Sequence, residues 1–262
     1  MKLATFLPPG SDVALAGEVR GDQVVAFAPD VTVLDLLAAD ARPSAGGVTY
    51  PLDGVRLLAP VPRPRAIFGI GLNYALHVKE TGMETPERPM VFMKLSTSSA
   101  PPSSPVDPPA AARGRLDYEG ELAVVMGAGG KVAGYAIADD LSARDLQGRE
   151  PQWTRAKAFD SSCPWGPWVT TADELTDPHG LGLRTWVNGE LRQDSTTADM
   201  VFDVPTLVAF IAETITFEPG DLILTGTPSG VGMAMDPRTF LASGDVVRIE
   251  IDGLGAIEHA IA

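Results

Sequence analysis

The segment Leu116-Asp117-Tyr118-Glu119-Gly120-Glu121-Leu122-Ala123-Val124-Val125-Met126 constrains the fold more than any other stretch of the chain. Side chains alternate faces along a strand, so Glu119 and Glu121 point the same way. Leu122, Val124 and Val125 beside them mark an interior strand. Two carboxylates on one such face repel each other unless both stay in water or a positive group sits between them. A divalent cation resolves the conflict, and hard cations such as Mg²⁺ or Mn²⁺ prefer oxygen ligands of this kind. The competing reading is a solvated strand face.

Around this segment the chain is heavily punctuated. Its 262 residues include 27 Gly and 23 Pro, dispersed between apolar runs, which is the pattern of many short strands joined by tight turns. Residues 3–28 read as a pair of short strands around Arg20-Gly21-Asp22, and Val31 to Ala39 as a short helix with Thr32 as N-cap and Asp35 in its first turn. Ala66 to Gly71, Val91 to Leu95, Glu119 to Met126, Val132 to Ala138, Trp186 to Val187, Leu222 to Leu224 and Val246 to Ile251 read as strands. Leu72 to Thr81, stopped by Gly82, and Val204 to Thr214 read as helices. No regular strand–helix alternation and no internal repeat appear, so a doubly wound sheet is a poor fit. The expected class is α+β and strand-rich. The proline spacer Pro60-Val61-Pro62-Arg63-Pro64 divides a small N-terminal α/β unit, residues 1–62, from a main body, residues 63–262.

Charge and cysteine content narrow the function. Lys and Arg number 20 against 34 Asp and Glu, a net charge of −14. That balance argues against nucleic acid and against anionic lipid, because both need a basic face. No apolar run approaches the roughly 18–20 residues of a membrane span. Met1 to Pro9 holds too short an apolar stretch for a signal peptide. The single cysteine, Cys163, excludes an intrachain disulfide and a cysteine-rich zinc site, and reads as a packed thiol. The expected compartment is the cytoplasm.

Further candidates surround the acidic strand. Asp140 ends the strand of Gly134 to Ala138 and is placed to complete a three-oxygen site; Asp139 and Asp145 read as turn or capping residues, and Arg144 as a structural partner for an acid. In Asn73-Tyr74-Ala75-Leu76-His77-Val78-Lys79-Glu80, His77 and Glu80 share a helix face at i, i+3, with Tyr74 three residues before His77. A carboxylate beside an imidazole fixes its tautomer and raises its basicity, which suits a general base, although such a pair is also a common surface contact. Lys94 and Lys157 are weaker candidates. Leu224 to Gly232 is a turn whose backbone amides are able to hold an anion, but it lacks the Gly-Lys-Ser/Thr of a nucleotide loop. The Trp residues near 153–168 read as packing, and His179 and His259 as ordinary surface residues.

Taken in order, these segments resemble the fumarylacetoacetate hydrolase family: Gly71-Leu72-Asn73-Tyr74-x-x-His77-x-x-Glu80, Phe92-x-Lys94, Tyr118-Glu119-x-Glu121-Leu122, Asp140-x-Ser142-x-Arg144-Asp145-x-Gln147, Lys157-x-Phe159-Asp160, Gly166-Pro167-Trp168, Val187-Asn188-Gly189-Glu190 and the stretch Pro219 to Gly232. The resemblance covers about residues 66–262, and residues 1–62 resemble only the variable N-terminal region of such proteins. It implies a mixed β-roll catalytic domain in a homodimer, with Mg²⁺ or Mn²⁺ held by Glu119, Glu121 and Asp140. Lys157 lies beside the metal in this reading, and His77 with Glu80 forms a lid dyad that activates water. Tyr74, Lys94, Gln147 and Thr227 line the substrate site.

The activity implied first is hydrolysis of a carbon–carbon bond in an acylpyruvate or β-diketone-like oxo-acid, through a metal-held enolate. The alternatives are an isomerase or decarboxylase of a 2-hydroxy-dienedioate, which use the same charge stabilisation without water attack, and a catalytically silent metabolite-binding relative. Leu72 stands where acylpyruvate-cleaving relatives often carry Arg. Lys94, Lys157 and the ion supply local positive potential, so an anionic substrate is compatible with an acidic protein whose distant charges are screened beyond about 10 Å.

Overall fold

The computed structural model describes residues 1–39 and 43–262. The frame is a mixed sheet of 12 strands. Its main path runs Thr49–Pro51, Gln23–Ala26, Leu15–Arg20, Lys2–Leu7, Cys163–Thr171, Val132–Asp139, Gly120–Met126, Leu222–Leu224, Ile67–Gly71 and Met90–Lys94. Arg56–Leu58 pairs with Lys2–Leu7, and Ser99–Ala100 with Cys163–Thr171. A second, four-stranded antiparallel sheet has the order Glu190–Thr196, Gly182–Val187, Val246–Ile251, Gly255–Ala260. The helices are short, and among the described residues none is long and apolar enough to cross a membrane.

The strand Gly120–Met126 is buried along its whole length. Alternation sends Leu122 and Val124 into one core, where they meet Ile137 and, from the four-stranded sheet, Leu183, Val247, Ile249 and Ile257. Ala123 and Val125 face a second core, with Leu3, Leu36, Leu37 and Trp165. The helix Val33–Ala38 belongs to that second layer, and Thr32 caps it with Asp35 closing the reciprocal capping box. Pairing of Lys2 and Leu3 with Thr170 and Val169 carries the sheet across the expected division near residue 62.

The strands expected at 66–71, 91–95, 119–126, 132–138, 222–224 and 246–251 all form, with ends displaced by one residue or none. The helix expected from Leu72 begins instead at Ala75. Leu72 has φ 55° and Tyr74 is extended, so the chain turns sharply before it can wind. Gly82 ends that helix in the left-handed conformation, its N–H donating to the Lys79 carbonyl. The strand Cys163–Thr171 was hidden by Pro164, Gly166 and Pro167. Its ladder to Val132–Asp139 is irregular between Tyr135 and Ile137, where Pro167 falls out of register, while Pro164 pairs with Ala100 on the other side. Trp186 and Val187 prove to be the end of a longer strand, Gly182–Val187, whose hairpin turns on Asn188 and Gly189, both at positive φ. Cys163 is buried, as a packed thiol should be. His259 is not on the surface: it is 2% exposed, on an inward position of the last strand.

Candidate active site

Antiparallel pairing sets Gly120 opposite Asp139 and Glu121 opposite Ala138. That register brings two acidic chain segments together, and the Asp140 N–H donates to the Glu119 carbonyl at 2.9 Å. Glu119, Glu121 and Asp140 are all buried, and each offers an oxygen within 4.8 Å of the others. The donor set is all oxygen, which suits a hard dication.

Cations surround the acids without fully compensating them. Lys157 Nζ bridges Glu119 Oε2 and Asp140 Oδ2, the latter at 2.7 Å. Lys94 Nζ donates to Asp140 Oδ1 at 2.7 Å and to the Lys157 carbonyl. Arg144 pairs with Glu119 at 2.7 Å and with Asp117 at 2.8 Å. Burial works against the Glu119 charge, but Lys157, Arg144 and His77 outweigh it and hold the carboxyl at about 2. Glu121 is the opposite case. Burial and the charges of Asp140 and Glu119 push its carboxyl well above the ordinary glutamate range, and Lys157 and the Gly226 N–H offset this only in part. The ionised triad therefore lacks positive charge at Glu121, which is what a bound divalent cation would supply. The residues present fit the ion.

His77 and Glu80 meet as their helical spacing requires, with His77 Nδ1 2.7 Å from Glu80 Oε1. The imidazole is buried, and with Nδ1 committed to a carboxylate, Nε2 is the nitrogen left for proton transfer. Asn73 anchors the approach to this helix through Nδ2 to the carbonyls of Thr225 and Phe202, at 2.7 and 3.0 Å.

The glycine-rich turn does hold anions, but they are the protein's own carboxylates. Gly226 N–H donates to Glu121 Oε2 at 2.7 Å, Gly230 N–H to Glu80 Oε2 at 2.9 Å, and Gly232 and Met233 N–H to Asp117 at 2.8 and 3.1 Å. One loop thus fixes a candidate metal ligand, the candidate dyad and the aspartate behind Arg144. Gly230 has φ 104°, and a methyl there would strike the Arg192 carbonyl oxygen. Gly230→Ala should lower stability by about 1–3 kcal/mol, as forced backbone strain does, with a matching fall in the urea midpoint.

A cavity of about 270 Å³ opens onto this cluster. His77, Glu119, Arg144, Gln147, Lys157 and Thr227 form its polar wall, and Leu72, Phe92, Trp153 and Met233 are among its apolar lining. Glu121 and Asp140 are buried and do not line it. Tyr74 and Lys94, expected against the substrate, are enclosed at 0% and 1% exposure and do not line the cavity. Trp153, read as packing, does line it, edge-on to Phe92 with ring centroids 5.5 Å apart. The supporting roles of Asp117 and Gln193 had no sequence signal beyond the motif around them. Gln193, from the second sheet, accepts from the Gly120 N–H and donates to Thr227 Oγ1.

Residues 66–262 match the family model described as fumarylacetoacetate (FAA) hydrolase, C-terminal. Oxaloacetate tautomerase YisK of Bacillus subtilis is 40% identical over 266 residues, covering 97% of this chain and 87% of the relative. A solved structure described as fumarylacetoacetate hydrolase from psychrophilic Exiguobacterium antarcticum superposes with TM-score 0.89 at 35% identity, covering 100% of this chain and 99% of that one. One described as 5-carboxymethyl-2-hydroxymuconate delta-isomerase from Mycobacterium smegmatis superposes with TM-score 0.84 at 34% identity, with the same coverage.

Proposed function

This chain belongs to the fumarylacetoacetate hydrolase family, and from that premise we propose that it is a divalent-metal-dependent tautomerase of a small 2-oxo diacid of the oxaloacetate kind. The observation that carries the proposal is that one cavity is lined both by His77, whose Nδ1 is held by Glu80, and by Glu119, one of the three clustered carboxylates Glu119, Glu121 and Asp140. The name of the Bacillus relative supports the choice of proton transfer over carbon–carbon hydrolysis. Hydrolysis, first in the reading of the sequence, becomes the alternative, although the Exiguobacterium protein bears a hydrolase name.

Glu119, Glu121 and Asp140 would hold Mg²⁺ or Mn²⁺. When bound, the ion polarises the substrate carbonyl and makes the neighbouring C–H more acidic. His77 Nε2 accepts the proton from that carbon, and the Glu80 carboxylate at Nδ1 stabilises the imidazolium that results. The imidazolium gives up that proton to the carbonyl oxygen, directly or through solvent, so the product is an isomer, His77 is regenerated and no water is consumed. Arg144, Lys157, Gln147 and Thr227 supply charge and hydrogen bonds for the carboxylates of the substrate.

A second reading, isomerase of a 2-hydroxy-dienedioate, is favoured by the apolar part of the wall. Leu72, Phe92, Trp153 and Met233 suit a longer conjugated chain, and the name of the mycobacterial structure agrees. The test supplies metal-loaded protein with freshly dissolved enol-oxaloacetate. Enol absorbance should decay faster than in metal-only buffer, with every carbon retained in oxaloacetate. Appearance of oxalate and acetate would instead establish hydrolysis, and no acceleration would reject the tautomerase.

A further inference from the structure

The inward positions of the last strand, Gly255–Ala260, and of the residue following it are Ile257, His259 and Ile261, at 1%, 2% and 3% exposure. An imidazole in a row of isoleucines is costly unless its polar atoms are bonded. His259 makes one such bond: Nε2 lies 2.9 Å from Asp139 Oδ2, and both side chains are fully buried. Its Nδ1 has no hydrogen-bond partner among the described residues.

The other oxygen of Asp139 accepts from the Glu119 N–H at 2.8 Å. This contact matters because Glu119 lies in the gap between the strands Leu116–Asp117 and Gly120–Met126, where no ladder bond serves its amide. The neighbouring amides are also held by side chains, Tyr118 N–H by Asp117 and Gly120 N–H by Gln193. The N–H groups of Tyr118, Glu119 and Gly120 are therefore all held by side chains, while the Glu119 carbonyl accepts from the Asp140 N–H. The Asp139 link depends on a ring that reaches across from the second sheet.

We infer that His259 is a positioning residue: through Asp139 it fixes the backbone of Glu119, and so the place of that carboxylate among the three oxygens. The inference rests on the metal reading proposed above. Removing a hydrogen bond that orients a ligand typically weakens metal affinity about 10–100-fold.

The experiment titrates Mn²⁺ calorimetrically into the full, metal-stripped chain, well below its melting temperature. His259→Leu should bind Mn²⁺ about 10–100-fold more weakly, and His259→Gln, which restores an N–H donor of similar reach, should recover most of that loss. Val247→Ala is the control, since Val247 is buried and stands opposite His259 in the ladder. It should lower the melting temperature and leave Mn²⁺ affinity unchanged. Should His259→Leu fail to fold, His259→Ser, too short to reach Asp139, carries the same expectation. Wild-type affinity in His259→Leu or His259→Ser would overturn the inference, and so would an equal loss in Val247→Ala. A wild-type chain that takes up no Mn²⁺ would overturn the metal reading itself.

Discussion

Glu121→Gln is expected to abolish metal uptake and to cut turnover by a factor on the order of 10³. The estimate follows from a Lewis acid worth several kcal/mol at tenfold per about 1.4 kcal/mol. The substitution keeps shape and volume and removes one charge from three crowded carboxylates. Its effect on the metal-free protein should have the opposite sign. Burial and the charges of Asp140 and Glu119 hold the Glu121 carboxyl above the ordinary glutamate range, so the folded chain binds that proton more tightly than the unfolded one. The contribution to stability is full below the ordinary glutamate range and is lost as pH rises toward the raised value. Metal-free wild type should therefore lose melting temperature over that interval, while Glu121→Gln should not. Saturating Mn²⁺ should stabilise the wild type and leave the variant unmoved. Calorimetric melting with and without Mn²⁺ across that pH range checks both signs in one series.

His77→Ala should lower turnover by about 10²–10⁴-fold, the usual cost of losing a general base, with Mn²⁺ affinity unchanged. His77 lies on the cavity wall and its helix contributes no carboxylate to the triad, so the variant keeps all three oxygen ligands. Retained turnover in this variant would remove His77 from the reaction. Joint loss of turnover and affinity would show that the helix Ala75–Thr81 supports the acids rather than the chemistry. Steady-state rates on enol-oxaloacetate, paired with Mn²⁺ titration, distinguish these outcomes.

The acidic triad was legible because strand periodicity is simple. A pair of acids two residues apart, set against Leu122 and Val124, calls for positive charge nearby if the strand is interior. The His77–Glu80 pair was legible for the analogous helical reason. Residues that act through another group were not. His259 stands alone on a short strand, and among the described residues its side chain bonds only to a residue 120 positions away. Trp153 looks like any core aromatic until the helix Ala75–Thr81 and the strand Met90–Lys94 are placed beside it. Lys94 carried a weak signal of its own, and its contacts with Asp140 and the Lys157 carbonyl come from segments distant in the chain. The strand Cys163–Thr171 was obscured by its prolines, which broke the local pattern that the ladders on either side override.

The pairing of Lys2–Leu7 with Cys163–Thr171 also limits how such chains diversify. A truncation at residue 63 would keep every acid of the site and the whole stretch that matches the family model. It would also strip Leu3, Leu36 and Leu37 from the face of Ala123 and Val125, leaving a naked sheet margin open to self-association. The first sixty residues can thus drift in sequence only while still supplying a strand of the right register. They are a graft that has become part of the trunk.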